Sequence, residues 1–461
     1  MFLKRRSFFE KCDKILYLPI EIHSREFHAK LYLAYQACQR GWTVVIGPEY
    51  DVNKLARYLP SGVYFGNGFH KKATRISRIM KKYGHSVILQ DEEGLVRWTT
   101  KLYQEYRINP EINNFADHFL CWGDEDKSII QSSFKKITSA ISVGNLRLDL
   151  LSPNLRKIFL ENMNDIKSDN GDFVLINGNF GSTNHTLGVD YYLNEIRLRG
   201  WLDNSLKKKF QLERVAFQKK IFEEMVELSI AISKSGQKVI VRPHPSESIE
   251  VWEKKTANYS KNIKIIRSGN IIPWLVSAKL IIHNGCNTAI EGLLLDKTII
   301  SYRPYKNSNV ETYLPNAISV GLETKEDVIN YIKNFKVDKF NITKKESLSI
   351  LSKHVKINKA QEDASSRILD LIENLPLKKE INIIRLIKDN INIEVALLKS
   401  SIVRMLYKKN FSYLKKKCPK LDINQIKNVL DFFSVNTSDH YKVEALNLTT
   451  HSVIISSKIN Q

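Results

Sequence analysis

The chain has 461 residues, 43% of them hydrophobic, which is length enough for two to three domains with sizeable cores. Lys and Arg number 71 against 49 Asp and Glu, a formal charge of +22, and such a balance calls for an anionic neighbour: nucleic acid, an anionic membrane surface or anionic substrates. No uninterrupted apolar run of about 18 residues is present, so no membrane-spanning helix is expected. The basic N-terminus MFLKRRSFFEKCDK lacks an apolar core and a small-residue cleavage site, so no signal peptide is expected. Cys12, Cys38, Cys121, Cys286 and Cys418 are scattered with no CxxC pair, which fits reduced thiols in the cytoplasm rather than a disulfide or zinc framework.

Lys14–Ile20 reads as a first strand. A helix follows from Ser24 to Arg40, with Phe27, Leu31, Ala34, Tyr35 and Cys38 at helical spacing and Gly41 behind it. WTVVIGP, GVYFGN and SVILQ read as strands separated by short helices, then ADHFLCWG and ITSAISVG as strands on either side of a helix. This alternation predicts a doubly wound parallel sheet over 13–153. Residues 154–170 read as a helix and linker. A second unit, 171–330, opens with FVLINGNFGSTNH, continues with a long amphipathic helix over 212–235, and then shows four short apolar runs: Val239–Val241, Ile263–Ile266, Leu280–Ile282 and Thr298–Tyr302. Runs this short and this apolar predict parallel strands covered on both faces. Residues 331–379 read as a helical segment and 380–461 as a basic C-terminal extension. Residues 331–420 hold 21 Lys and Arg against 9 Asp and Glu, so +12 of the charge lies there. A codon bias towards Lys, Asn and Ile accounts for the same excess equally well. The expected fold is α/β, two Rossmann-like doubly wound domains facing a cleft, with a helical basic extension.

Ligands of open α/β sheets bind outside the carboxyl ends of the strands, so the polar residues there are the candidates. Arg242-Pro243-His244-Pro245 follows one run. The prolines hold His244 extended, where it is suited to protonate a phosphate oxygen, and Arg242 is a second phosphate donor. A Pro-rich turn with a packed histidine is the alternative. His283-Asn284-Gly285-Cys286-Asn287-Thr288 precedes a helix and offers small polar groups to an anion, with Glu291 one turn on to accept from ribose hydroxyls. An ordinary N-cap uses the same residues. Asn177-Gly178-Asn179, with Ser182 and Thr183, follows another strand and reads either as a site wall or as a flexible connection. Asp91-Glu92-Glu93-Gly94 places three carboxylates at a strand end, where mutual repulsion raises a pKa towards that of a general base. The alternative is an exposed acidic turn. Glu21, Arg25, Glu26 and Gly144-Asn145 fall at neighbouring strand ends. Neither GxxxxGK[ST] nor a GxGxxG after the first strand occurs, which disfavours P-loop and ordinary dinucleotide readings.

The set YLPIEIHSREFHAKLYLA (17–34), QDEEGL (90–95), SVGNLRLDLL (142–151), LINGNFGSTNH (175–185), VRPHPSE (241–247) and HNGCNTAIEGLLLDKTIISYRP (283–304) resembles GT-B glycosyltransferases of bacterial surface-polysaccharide synthesis. More narrowly it is similar to the surface carbohydrate biosynthesis group related to Kdo transferases and bacterial sialyltransferases. The resemblance implies a cytoplasmic enzyme, peripheral to the inner membrane. It would move Kdo or a related acidic sugar from a CMP donor to a glycan or lipid-linked acceptor, with a basic tail on the anionic inner leaflet. It implies Glu92 or Glu93 as the base, His244 on the departing CMP, and Asn287 and Thr288 on its phosphate. No metal or other cofactor is implied if His244, Arg242 and helix N-termini neutralise that phosphate. A nucleotide-sugar 2-epimerase and a UDP-sugar or CDP-polyol transferase are the rivals on the same fold. A nucleic-acid-binding protein and an idle scaffold are the rivals from other classes. The lack of an aromatic-basic interleaved motif speaks against nucleic acid.

Overall fold

The computed structural model describes residues 12–136, 139–335, 337–358, 362–376, 419–437, 441–449 and 451–457. The chain divides into two compact units. The first holds residues 1–92, 108–158 and 356–461, and the second holds 93–107 and 159–355. Both are α/β with parallel sheets, the expected class.

In the first unit, β1 (Ile15–Ile20), β2 (Thr43–Pro48), β3 (Val63–Asn67), β4 (Ser86–Gln90), β5 (His118–Cys121) and β6 (Ala140–Ser142) are mutually parallel. Every residue of β1, β2 and β4 is buried, as an apolar strand covered on both faces requires. The order β2-β1-β3-β4-β5-β6 reverses direction between β1 and β3, and that reversal opens a crevice at their carboxyl ends.

The C-terminal part returns to this sheet. The helix Ala364–Glu373 starts at Asp363, whose carboxylate accepts from the Ser366 amide at 2.8 Å, from the Tyr32 hydroxyl at 2.9 Å and from Gln36 at 3.0 Å. The helix Ile423–Asn436 lays Phe433 against Tyr32 and Tyr35. A hairpin of β13 (Glu444–Asn447) and β14 (Val453–Ser456) then pairs β14 antiparallel to β2. Residues 331–379 therefore do not form one segment, because their first part belongs to the second unit and the rest to the first. Of the expected basic extension, 380–418 lies outside the described residues. The remainder supplies an edge to the sheet because β14 is apolar and wholly buried.

The second unit has the order β12-β11-β10-β7-β8-β9. Its strands are β7 (Phe173–Asn177), β8 (Lys238–Arg242), β9 (Ile263–Ile265), β10 (Leu280–His283), β11 (Ile299–Tyr302) and β12 (Val320–Leu322), all parallel. The long helix runs Ser205–Lys234, seven residues earlier than expected at its start, because the Asn204 side chain caps it by accepting from the Lys207 amide at 2.9 Å. Its Phe222, Met225 and Val226 join Val174, Ile176, Val239 and Trp252 in the core. Here direction reverses between β7 and β10, whose ends place Asn177 beside His283.

The hairpin packs so closely on β2 that a Cβ at Gly47 would lie 2.2 Å from Ser452 Oγ and 3.0 Å from its Cα. Gly47→Ala is expected to lower unfolding stability by about 1–3 kcal/mol, read by urea titration. Unchanged stability would show that the hairpin is not seated there.

Candidate functional site

In the second unit the loops after β7 and β8 are joined by one carboxylate. Glu247 is fully buried. Its Oε1 accepts from the amides of Phe180 and His244, each at 2.9 Å, and its Oε2 from Trp252 Nε1 at 2.9 Å. Burial pushes its pKa up, and these donors pull it back. The fit leaves no room for a side chain at Gly178, where a Cβ would stand 2.8 Å from Oε1. Main-chain bonds from Thr186 to Ser246 and from Ser248 to Asn184 complete the join.

His244 is half-buried. Its Nδ1 accepts from the Ser246 amide at 3.2 Å and lies 2.8 Å from Ser246 Oγ. Accepting at Nδ1 leaves Nε2 as the proton-bearing nitrogen of the neutral ring. Pro245 is exposed beside it. Gly181 lies against the same pair, with a built Cβ 2.1 Å from Ser246 Oγ.

Two expected ligand-facing side chains are committed elsewhere. Arg242 is not a phosphate donor here. Its guanidinium donates to the carbonyls of Ser268 at 2.8 Å and Gly269 at 3.0 Å and stacks 5.0 Å from the Trp274 ring. Burial lowers its pKa to about 10. His283 is completely buried. Its Nδ1 accepts from the Gly285 amide at 2.8 Å, and its Nε2 meets Ser319 Oγ at 2.9 Å. Ser319 in turn donates to the Pro315 carbonyl at 2.7 Å. That chain fixes a neutral ring, and burial pushes its pKa down to about 3. His283 therefore shapes the loop after β10 rather than binding an anion by charge.

The loop itself holds Asn284, Asn287 and Thr288. Asn284 Nδ2 donates to Gln218 at 3.2 Å, Asn179 Nδ2 to the Gly285 carbonyl at 3.3 Å, and Thr288 Oγ1 lies 2.6 Å from Cys286 Sγ. Glu291 is buried on the helix Thr288–Leu294. Nine buried side-chain atoms of the described residues lack a hydrogen-bond partner, and four belong to these loops and strand ends: Asn177 Nδ2, Ser182 Oγ, Asn284 Oδ1 and Asn287 Oδ1. A buried polar atom left unmet costs about 1–3 kcal/mol, so four of them at these strand ends make a candidate place for a polar ligand or an ordered water.

In the first unit, Glu92 follows β4. Its side chain is 12% exposed and lies 3.5 Å from Arg147 Nε and 3.3 Å from Asn145 Nδ2. Burial raises its pKa, Arg147 and Lys30 oppose, and Glu26 adds to the rise. Asn145 is fully buried and also donates to Gln90 at 3.0 Å. Asn67, at the end of β3, donates to Glu21 at 2.8 Å and accepts from the Glu92 amide at 3.3 Å. Glu26 accepts from the Ile22 amide at 2.8 Å and from Lys30 Nζ at 2.7 Å. Burial works against the Lys30 charge, but Glu26, Glu92 and Glu21 outweigh it and its pKa is raised. His28 is pushed down to about 4 by burial and by His23.

The acidic turn thus splits. Asp91 is buried, with its carbonyl accepting from Trp122 Nε1 at 2.8 Å, whereas Glu93 is exposed. The chain leaves the first unit after Glu92 and enters the second at Glu93. The structure brings Asn177, Gly178, Asn179, His244, Asn284 and Asn287 to one end of the second sheet. It places Glu92 in the first unit with Glu21, Glu26 and Asn145. The sequence reading missed Asn67, Lys30 and Arg147 there, and the organising role of Glu247. The i,i+4 spacing of Glu26 and Lys30 was the one available signal. Among the described residues no group of three His, Cys, Asp or Glu side chains is placed to hold a metal ion.

The His283 shift has a sign. The unfolded histidine titrates near 6.5 and the folded one near 3, so its contribution is whole above about 6.5 and is lost as pH falls towards 3. His283→Asn is expected to reduce the acid slope of unfolding stability by about 1.4 kcal/mol per pH unit in that window. Denaturant titrations at several pH values read this, and an unchanged slope would contradict the buried neutral ring.

No protein-family model matches the chain, and no curated protein does. Among solved structures it is similar to Anabaena HepE in complex with UDP and glucose, with 10% identity over 78% of this chain and 100% of that one at a TM-score of 0.44. It is also similar to the wall teichoic acid polymerase TagF, with 10% identity over 80% and 92% at 0.49. A third is UDP-GlcNAc 2-epimerase from Neisseria meningitidis bound to UDP-GlcNAc, with 12% identity over 78% and 100% at 0.48.

Proposed function

We propose that the chain is a GT-B glycosyltransferase of surface-polysaccharide synthesis, taking Kdo or a related acidic sugar from a CMP donor to a glycan or lipid-linked acceptor. The observation that carries the reading is the set of unmet buried polar atoms at the carboxyl ends of β7 and β10. Asn177 offers a donor, Asn284 and Asn287 offer acceptors and Ser182 offers both. A nucleotide sugar, which presents phosphate oxygens and hydroxyls together, answers such a mixed lining.

In this reading His244, held by Glu247 and Ser246, donates from Nε2 to the departing phosphate, and Asn287 Nδ2 and Thr288 Oγ1 donate to that phosphate, which leaves Asn287 Oδ1 to accept from a hydroxyl of the ligand. Glu291 takes the ribose hydroxyls. Glu92 is the base for the acceptor hydroxyl. A carboxylate whose pKa burial has raised is a better proton acceptor at working pH than an exposed one, which favours Glu92 over Glu93. Asn145 and Arg147 hold its carboxyl group in place. The enzyme works in the cytoplasm at the inner face of the membrane, where lipid-linked acceptors lie.

Turnover of labelled CMP-Kdo with a lipid-linked acceptor tests the reading. Glu92→Gln is expected to lower kcat by about 10²–10⁴-fold while CMP still raises the melting temperature. His244→Ala is expected to abolish transfer. Because the base must be ionised, kcat/KM should fall as pH drops through a value above the ordinary glutamate range. Stabilisation by UDP and not by CMP would overturn the donor assignment, and transfer surviving His244→Ala would overturn that role.

A further inference from the structure

We propose that the tip where the helix Val189–Leu198 ends and the helix Ser205–Lys234 begins is a docking surface for an anionic lipid bilayer. Leu198 is 75% exposed and Leu206 is 78% exposed, with Leu212 at 48%. Leucines exposed singly are ordinary on a soluble surface, and it is a group of them rimmed by polar residues that marks an interaction site.

Leu198 and Leu206 flank the same short connection. Leu198 is the last residue of the first helix and Leu206 the second residue of the next. The joining segment 199–204 folds back on itself through the Trp201 amide, which donates to the Ile196 carbonyl at 2.9 Å. On the second helix Ser205, Lys208, Lys209 and Leu212 share a face by their i, i+3, i+4, i+7 spacing. The same residues line one open concavity of about 790 Å³ together with Glu213 and Asn309.

The charge there is mainly positive, with five cations against Asp203 in the joining segment, Glu195 paired with Arg199 at 3.7 Å and Glu213 in the concavity. Arg197, Arg199, Lys207, Lys208 and Lys209 fall within thirteen positions of the chain. Lys208 and Lys209 are exposed, and among the described residues no carboxylate forms an ion pair with either. Lys207 lies over the Tyr106 ring at 5.2 Å and Arg199 over the Trp201 ring at 5.9 Å. Trp201 itself is half-buried against Tyr106, with ring centroids 5.3 Å apart. Trp98 and Phe210 back this group at 5.1 Å, so the tip is mounted on a rigid aromatic base.

Projecting leucines, a tryptophan at their root and unpaired lysines beside them are the elements of an interfacial membrane contact. The apolar chains enter the acyl boundary, the ring sits at headgroup level, and the cations meet anionic headgroups. An acidic protein or a nucleic acid would answer the lysines but would leave Leu198 and Leu206 in water. The surface is independent of the glycosyltransferase reading, since it is defined by lipid binding alone and lies outside the residues assigned to catalysis.

Flotation of the full chain with vesicles of phosphatidylcholine, with and without roughly 30 mol% phosphatidylglycerol, tests it. The wild type is expected to bind the anionic vesicles and to be released in part by about 0.5 M salt. Leu198→Ser with Leu206→Ser is expected to weaken binding about tenfold or more, and Lys208→Glu with Lys209→Glu by on the order of fivefold per residue. These positions are exposed, and an unchanged circular dichroism spectrum would show that the fold is kept. Hydrogen exchange should slow over residues 196–213 on vesicle addition, which separates this surface from any binding by the basic stretch 380–418. Equal binding by the leucine variant, protection confined to other segments, or binding of heparin without binding of vesicles would each overturn the proposal.

Discussion

The buried carboxylate of Glu247 sets the shape on which the second unit depends. Three donors from three places, the Phe180 amide, the His244 amide and the Trp252 indole, converge on it. An acceptor deep in an apolar core is stable only when its lone pairs are met, so the loops after β7 and β8 have one mutual position in which that holds. His244 is carried on that arrangement. Its Nδ1 is held by Ser246 two residues on, so ring orientation follows from backbone position. His283 does the same work for the loop after β10 with its two ring nitrogens. Both are polar groups used to fix loops.

The first unit repeats the logic with different residues. Asn67 links Glu21 to the Glu92 amide, Asn145 links Gln90 to Glu92, and Glu26 holds the chain after β1. These residues stand at the point where strand order reverses between β1 and β3. That is where a doubly wound sheet opens. Glu92 is at this point, and Asp149, although buried, is spent on Ala364 and Ser365.

Much of this architecture was legible in the sequence, for identifiable reasons. Apolar runs such as Val239–Val241 and Leu280–Ile282 are too short for helices, and the polar residues that follow them had to fall at strand ends. The location of His244, Asn284 and Asn287 followed from that alone. What partners a long side chain finds was not legible. Arg242 reaches the carbonyls of 268 and 269, a contact between segments with no periodic relation. The return of β14 to β2 was hidden because Val453–Ser456 is one more short apolar run, far from its partner in sequence. Residues 93–107 offered no sign that they pack with the second unit, since Tyr106 meets Phe210 and Val310 across more than a hundred positions.

We propose the carboxyl ends of β7, β8 and β10 as a nucleotide site. A crystal structure of the chain soaked with CMP tests it most directly. The phosphate is expected beside His244 Nε2, with Asn177, Asn284 and Asn287 bonded to the ligand through the atoms now unmet. CMP bound elsewhere on the chain, or those atoms left unmet in a CMP-bound structure, would contradict it.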